Sequence, residues 1–369
     1  MQNCSSGKKI IADFSCYLCG YKHGNFFLNS TDLTGTVPGK FYLVQCPRCK
    51  IIYLHPLPQP EQISSFYPES YYENTPYRRK KILRRAARFS QRLQQYINYK
   101  NTACFQKNVL SRVFLVIYRW FILSADEIFL TEWAPGARIL DIGCGQGDFL
   151  LLANRLGWDT YGVEPNTVAV TTARMMGLKV YAGELSRIHF SDNFFQVIRL
   201  HHVLEHIYDP IAVMKEIRRI IREDGCLMIT VPNIQSLGFK VFNKFWWNLD
   251  LPRHIFLYCP QTLAFLAEKT GFQLLRLVHQ KAQSGLVRSV SLTISKKNKL
   301  LQKLIRRLPP VQIFCLLLNF FGQAIHRGEY ITAFLAPLPS SHFRKGKSFR
   351  EKEEVPCSAQ SFYRDKSFT

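Results

Sequence analysis

The stretch that most constrains this chain is residues 138–149, R-I-L-D-I-G-C-G-Q-G-D-F. Residues 138–142 are a short apolar run broken by one carboxylate, the pattern of a strand buried on both faces, with Asp141 at its C-terminal end. Gly143, Gly145 and Gly147 alternate through a turn where side chains would block a ligand, and an apolar helix start follows. Strand, glycine turn and helix in that order predict a nucleotide-type pocket. A dinucleotide fold wants G-x-G-x-x-G, so that pyrophosphate can sit on the helix N-terminus. Counted from Gly143 and Gly145, the last position is Asp148, whose carboxylate repels pyrophosphate. Residues 158–164, W-D-T-Y-G-V-E, predict a second strand ending in a carboxylate, Glu164, 23 residues after Asp141.

The D-x-G-x-G-x-G run over 141–147 resembles the first motif of the class I S-adenosylmethionine (SAM) methyltransferases. In that family the loop passes under the methionine part of SAM, and a carboxylate placed like Glu164 accepts from the ribose hydroxyls. An acidic residue placed like Glu184, next to Leu185, approaches the adenine amine. The resemblance therefore implies Asp141, Gly143, Gly145, Gly147, Glu164, Glu184 and Leu185 as the SAM-binding set. Further strands are predicted at 179–181, 194–200, 226–231 and 273–279, with a final antiparallel strand at 329–335. Together they make an α/β, Rossmann-like seven-stranded methyltransferase sheet over 124–338, opened by a capped helix at 124–133 and carrying inserted helices over 296–326. The chain departs from the family at Gln196, where Asp is usual, and at Arg199, a cation in a buried strand.

Ahead of this region, Cys16-x-x-Cys19 and Cys46-x-x-Cys49 are two knuckles 26 residues apart. Four thiolates make the closed shell of a structural zinc site, which folds a module over 1–58 and leaves no position open for chemistry. The alternative is four unrelated buried cysteines. A Pro- and Tyr-rich linker and basic helices occupy 59–123. The knuckles, the F-Y-P-x-x-Y-Y stretch at 66–72 and the SAM-type core together resemble bacterial methyltransferases that act on sugars, often among genes for cell-surface polysaccharides. That resemblance implies a role for Tyr71 and Tyr72 on the substrate side.

Residues 201–206, H-H-V-L-E-H, follow the fourth strand. The string matches an inverted zinc-protease motif, but a strand-to-turn context is wrong for two ligands on one helix. The family resemblance sets His202 beside the methyl group, while Glu205 and His206 read as a local capping pair at a helix start. Some relatives with E-x-x-E-H here bind a divalent metal; this chain has His202 where the first Glu would stand. No N-P-P-Y type tetrad follows, which argues against methylation of base amines. Residues 245–254 gather Trp246, Trp247, Arg253 and His254. Indoles stack on sugar faces, Arg253 suits phosphate, and His254 suits a general base, with an anchoring loop-end histidine as the bland reading. Either His254 or His202 is expected to take the proton.

The net charge of +23 is unevenly placed. Residues 74–125 hold twelve Lys/Arg and no Asp/Glu, residues 269–328 hold eleven and none, and the remaining 26 balance the 26 acids. Residues 77–100 read as a basic amphipathic helix, which suits an anionic membrane or a phosphorylated substrate better than nucleic acid. The apolar stretches at 113–123 and 311–325 fall short of the roughly 20 residues of a membrane span. An N-terminus without a signal-type apolar run and cysteines in metal spacing fit a cytoplasmic protein, peripheral at the inner membrane surface. Residues beyond 339 read as a disordered tail. The expectation is a SAM-dependent methyltransferase with structural zinc and a small, sugar-bearing acceptor. Its rivals are a nucleic-acid methyltransferase and a non-catalytic SAM and zinc scaffold.

Overall fold

The computed structural model describes residues 2–3, 9–11, 14–67, 136–295 and 298–339. Tyr71 and Tyr72, the helices expected at 77–100 and 124–133, and the tail expected beyond 339 lie outside the described residues. The chain divides into two compact units, one of Met1–Thr75, Leu200–Arg218 and Met228–Leu338, the other of Pro76–Arg199, Arg219–Leu227 and Pro339–Thr369.

The second unit holds the glycine turn. Strand β6 (Arg138–Ile142) runs through the turn into helix α2 (Asp148–Arg155). Strand β7 (Asp159–Glu164), helix α3 (Thr167–Arg174) and strand β8 (Lys179–Ala182) follow. β6 pairs in parallel with β7, and β7 with β8, so their C-terminal ends line one edge. Leu150, Leu151, Val170, Ala173, Leu178 and Val180 form the core beneath that edge. Gly147 caps α2 at a φ of 85°, and a Cβ there would meet Leu178 Cδ1 at 2.4 Å. The left-handed backbone there favours glycine, with Leu178 and Ala173 of α3 close by.

Strands β9 (Phe195–His201) and β10 (Ile221–Pro232) belong to both units, and helix α4 (Pro210–Ile220) connects them. With β12 (Phe272–Gln280) and β13 (Tyr330–Pro337), the seven-stranded sheet has the order β12-β13-β10-β9-β6-β7-β8. β12 and β13 are antiparallel, as expected for the final strand. The fold is therefore α/β and Rossmann-like.

The first unit contains a six-stranded sheet in the order β1-β2-β3-β4-β5-β11. Its strands are β1 (Gln2–Asn3), β2 (Lys9–Ile11), β3 (Gly24–Ser30), β4 (Phe41–Gln45), β5 (Ile52–Leu54) and β11 (Phe256–Leu257). A short helix α1 (Pro60–Ser65) follows β5. β11 comes from far along the chain and pairs with β5, Phe256 opposite Tyr53. The cysteine module thus closes its sheet with a strand that follows Arg253 and His254. Helices α5 (Leu237–Phe242) and α6 (Pro260–Lys269) flank that strand in sequence. Before β13 lie α7 (Gln283–Ile294), α8 (Lys299–Ile305) and α9 (Pro309–Ala324). α8 and α9 fall within the expected insertion. α7 was not expected, because a segment of mixed small and polar residues with one cation shows no helical charge pattern.

Candidate functional site

In the second unit, the site is built around Glu164 at the end of β7. Its Oε2 accepts a hydrogen bond from the Gly145 N–H at 2.9 Å, and its Oε1 accepts from the Asn166 N–H at 2.9 Å. Asn166 in turn caps α3 by accepting from the Ala169 N–H, so the strand end, the glycine loop and the helix start are fixed together. A carboxylate oxygen can accept more than one hydrogen bond, so each keeps capacity for a hydroxyl donor. Burial raises the Glu164 pKa, against the two backbone donors and helped by nearby Asp141. Gly145 has a φ of 54°, and among the described residues beyond its chain neighbours no atom lies within 4 Å of where a Cβ would stand.

Asp141 is engaged differently from the family expectation. It is buried, and Arg199 Nη1 donates to its Oδ1 at 2.8 Å, with the guanidinium 4.0 Å above the Phe149 ring. This explains a cation in a buried strand: Arg199 neutralises the carboxylate at the glycine turn. Gln196 is explained as well. Its Oε1 accepts from the Arg138 N–H at the start of β6, the end of the strand away from the glycine turn. Glu184 is exposed and Leu185 buried at the short 3-10 turn Leu185–Arg187.

In the first unit, four ionisable side chains converge at the end of β9. His202 has a left-handed backbone, φ 57°, and its Nδ1 lies 3.3 Å from Glu205 Oε1. Its ring also packs edge-on to Tyr330 at 4.4 Å. Glu205 is 1% exposed, and its Oε2 has no hydrogen-bond partner among the described residues. Burial works to raise the Glu205 pKa, but the His202 hydrogen bond and the fields of His206, His202 and His254 outweigh it and hold the group at about 2. The capping role read for Glu205 is thus corrected: its carboxylate faces histidines, inside the 3-10 turn Leu204–His206.

His254 Nδ1 donates to the Asn248 carbonyl at 2.9 Å, and its Nε2 lies 4.0 Å from both Glu205 Oε1 and Asp250 Oδ2. His206 Nδ1 faces the Arg253 carbonyl at 3.0 Å and the Tyr67 hydroxyl at 2.8 Å. Burial, then His254, pushes His206 down to about 4, so it is neutral near neutral pH. Ligand atoms of Glu205, His206 and His254 all lie within 4.8 Å of one another, a set that could hold a metal ion. His254 is 7% exposed, whereas His202 keeps 31% of its side chain exposed. Of the two expected bases, His202 is the accessible one.

Two expected substrate residues are corrected. Arg253 has no exposed side-chain surface and donates from Nη2 to Asp32 Oδ1 and to Asp250 Oδ1, each at 2.7 Å. Two carboxylates saturate the guanidinium, and no face remains for a phosphate. Asp32 also accepts from the backbone N–H groups of Thr34, Thr36 and Val37, so Arg253 locks the 32–37 loop to the 250–254 turn. Trp246 is fully buried, its Nε1 donating to Glu329 Oε2 at 2.7 Å, and offers no face to a sugar. Trp247 is half-buried beneath the Arg288 guanidinium, 4.5 Å from its ring centre. Glu205, Asp250 and Tyr330 complete the cluster and were missed. The one sequence signal was D-x-x-R-H over 250–254, which sets Asp250 one turn from both Arg253 and His254.

In the cysteine module, Cys16 and Cys49 Sγ are 3.5 Å apart, as are Cys19 and Cys46, and all four lie within 4.8 Å of one another. Each knuckle closes with the same turn: Gly20 N–H donates to the Cys16 carbonyl, and Lys50 N–H to the Cys46 carbonyl. Gly20 and Lys50 both have positive φ, 72° and 63°. The donor set and the converging sulfurs fit a tetrahedral zinc ion.

A Rossmann-like sheet with a glycine turn and an acidic second strand end is an architecture that can hold a nucleoside-bearing ligand. Residues 78–277 match the family model described as a methyltransferase domain, and the chain belongs to that family. It is 28% identical over 108 residues to an uncharacterized methyltransferase of Schizosaccharomyces pombe, covering 24% of this chain and 37% of that protein. It is 26% identical over 114 residues to a ubiquinone biosynthesis O-methyltransferase of Xanthomonas campestris, covering 29% of this chain and 48% of that one. The chain thus spans less than half the length of these curated relatives. Among solved structures, a SAM-dependent methyltransferase from Archaeoglobus fulgidus aligns over 60% of this chain and 98% of its own, at 20% identity and a TM-score of 0.39.

Proposed function

We propose that this protein transfers a methyl group from SAM to a small-molecule acceptor bearing a sugar. The observation that carries the reading is the buried Glu164 carboxylate, held between the Gly145 and Asn166 amides with acceptor capacity to spare for a ribose diol. Gly143, Gly145, Gly147 and Glu164 hold the cofactor, and Arg199 holds the Asp141 carboxylate in place at the loop. When bound, SAM supplies an electrophilic methyl group on a sulfonium. His202 accepts the acceptor's proton at Nε2, its other nitrogen oriented by Glu205, the base and positioning-group arrangement of proton-transfer sites. Glu205, already ionised, stabilises the imidazolium that forms. His254 then acts as a positioning residue, steadying Glu205 from its buried place. A zinc ion on Cys16, Cys19, Cys46 and Cys49 is structural in this account and does no chemistry.

The test is transfer of labelled methyl from SAM to a panel of nucleotide sugars and sugar phosphates. His202→Ala is expected to lower kcat by about 10²- to 10⁴-fold with SAM affinity retained. Glu205→Gln is expected to lower kcat with little change in KM. Turnover by His202→Ala at the wild-type rate would remove His202 from the reaction. Methylation of RNA in place of the sugar panel would replace the acceptor class.

A further inference from the structure

The helices inserted before β13 present their apolar residues outward. α9 turns Cys315, Asn319 and Gly322 toward the interior, where it packs against α7 and α5. Asn319 is fixed there by hydrogen bonds with Ala282 and Gln283. Its other face exposes Ile313, Leu317 and Phe321, each 50–58% accessible, and Leu304 in α8 and Leu308, just before α9, are exposed at 59% and 43%. A water-facing helix buries its large apolar groups and exposes its small and polar ones; α9 does the reverse.

The same insertion is strongly basic, since residues 269–328 contain eleven Lys/Arg and no Asp/Glu. At the 69° bend between α8 and α9 lies a cleft of about 620 Å³ whose wall includes Lys281, Arg288 and Arg306, with Gln283, Gln312 and Tyr330. Among the described residues its wall carries three cations and no carboxylate. Burial, and after it repulsion from Arg306, push the Arg288 pKa down against the opposing fields of Tyr330 and Asp250.

We propose that the α8–α9 surface docks on an anionic lipid bilayer, lying in the plane of the interface with the basic cleft set over lipid phosphates. α9, at 16 residues, is about 24 Å long, short of the roughly 30 Å hydrocarbon core, and its inner face is already packed on the protein. It therefore rests on a membrane and does not cross it. A second copy of the chain would cover the apolar face but would bring two basic insertions together with no acid between them. A neutral protein would cover the apolar face and leave the cleft unmatched. The proposal does not depend on the methyl-transfer reading.

The test is sedimentation of the full-length, zinc-loaded protein with vesicles of phosphatidylcholine alone and of phosphatidylcholine with 30% phosphatidylglycerol. Wild type is expected to bind the anionic vesicles at least about tenfold more tightly, the preference weakening as salt rises. The double variant Leu317→Asp, Phe321→Asp changes exposed positions, so its melting temperature should match wild type while binding to anionic vesicles falls at least about tenfold. Arg288→Gln with Arg306→Gln is expected to remove the preference for anionic lipid. Equal or absent binding of wild type to both vesicles would overturn the proposal without any variant. So would a dimer that Leu317→Asp, Phe321→Asp converts to monomer while vesicle binding stays unchanged.

Discussion

At the scale of single residues, the protein depends on a few buried charges whose partners lie far apart in sequence. Arg253 serves Asp32, 221 positions away, and Asp250 in its own turn. Arg253→Ala would leave Asp32 buried without a counter-charge, at a cost of about 3–5 kcal/mol in chemical denaturation. Lysine at this position, a single ammonium, cannot meet both carboxylates in one plane and is expected to recover only part of that loss. Glu329 is the opposite case: burial outweighs the hydrogen bonds from Trp246 and Gly238 and pushes its pKa up to about 7. Because the folded value lies above the unfolded one, the stability it contributes is fully present below about pH 4.5 and is lost as pH rises through 7. Measured against Glu329→Gln from pH 4.5 to 8, wild type is expected to lose relative stability by at most about 3 kcal/mol. A difference constant across that range would contradict the assignment.

At the scale of elements, what was legible in the sequence was what local pattern encodes. The glycine turn after β6 and the acid ending β7 were readable because strand, turn and helix follow one another within 27 residues, from Arg138 to Glu164. The cysteine knuckles were readable for the same reason. Arg199 looked anomalous because its partner Asp141 lies 58 residues earlier, and Trp246 and Arg253 looked like ligand contacts because Glu329 and Asp32 are 83 and 221 residues away. An aromatic and cationic cluster in sequence carries no mark of whether tertiary structure buries it. The knuckles also couple to the rest of their unit: the Thr262 hydroxyl donates to the Cys49 carbonyl, and β11 completes the sheet. Chelation of zinc is therefore expected to release the sheet β3-β4-β5-β11 and expose the 250–254 turn to protease. Stoichiometric metal analysis of the purified protein checks the premise, and a protein that folds and resists proteolysis without zinc would contradict it.

At the scale of the whole molecule, a balanced α/β body carries basic additions, and the two demand different kinds of ligand. The methyltransferase-domain sheet brings strand C-termini together at a glycine turn that suits a phosphate-free nucleoside better than a pyrophosphate, since Asp148 occupies the place of the third glycine. Gln196, where the family usually has Asp, accepts at the start of β6, away from the glycine turn. The central claim is that Glu164 holds the ribose of SAM. Calorimetric titration of the zinc-loaded protein with SAM and with S-adenosylhomocysteine, repeated on Glu164→Ala, tests it most directly. Micromolar binding of both ligands, weakened by about 1.5–3 kcal/mol or more in the variant, is the predicted result. No binding to well-folded wild type, or equal binding by Glu164→Ala, would contradict it.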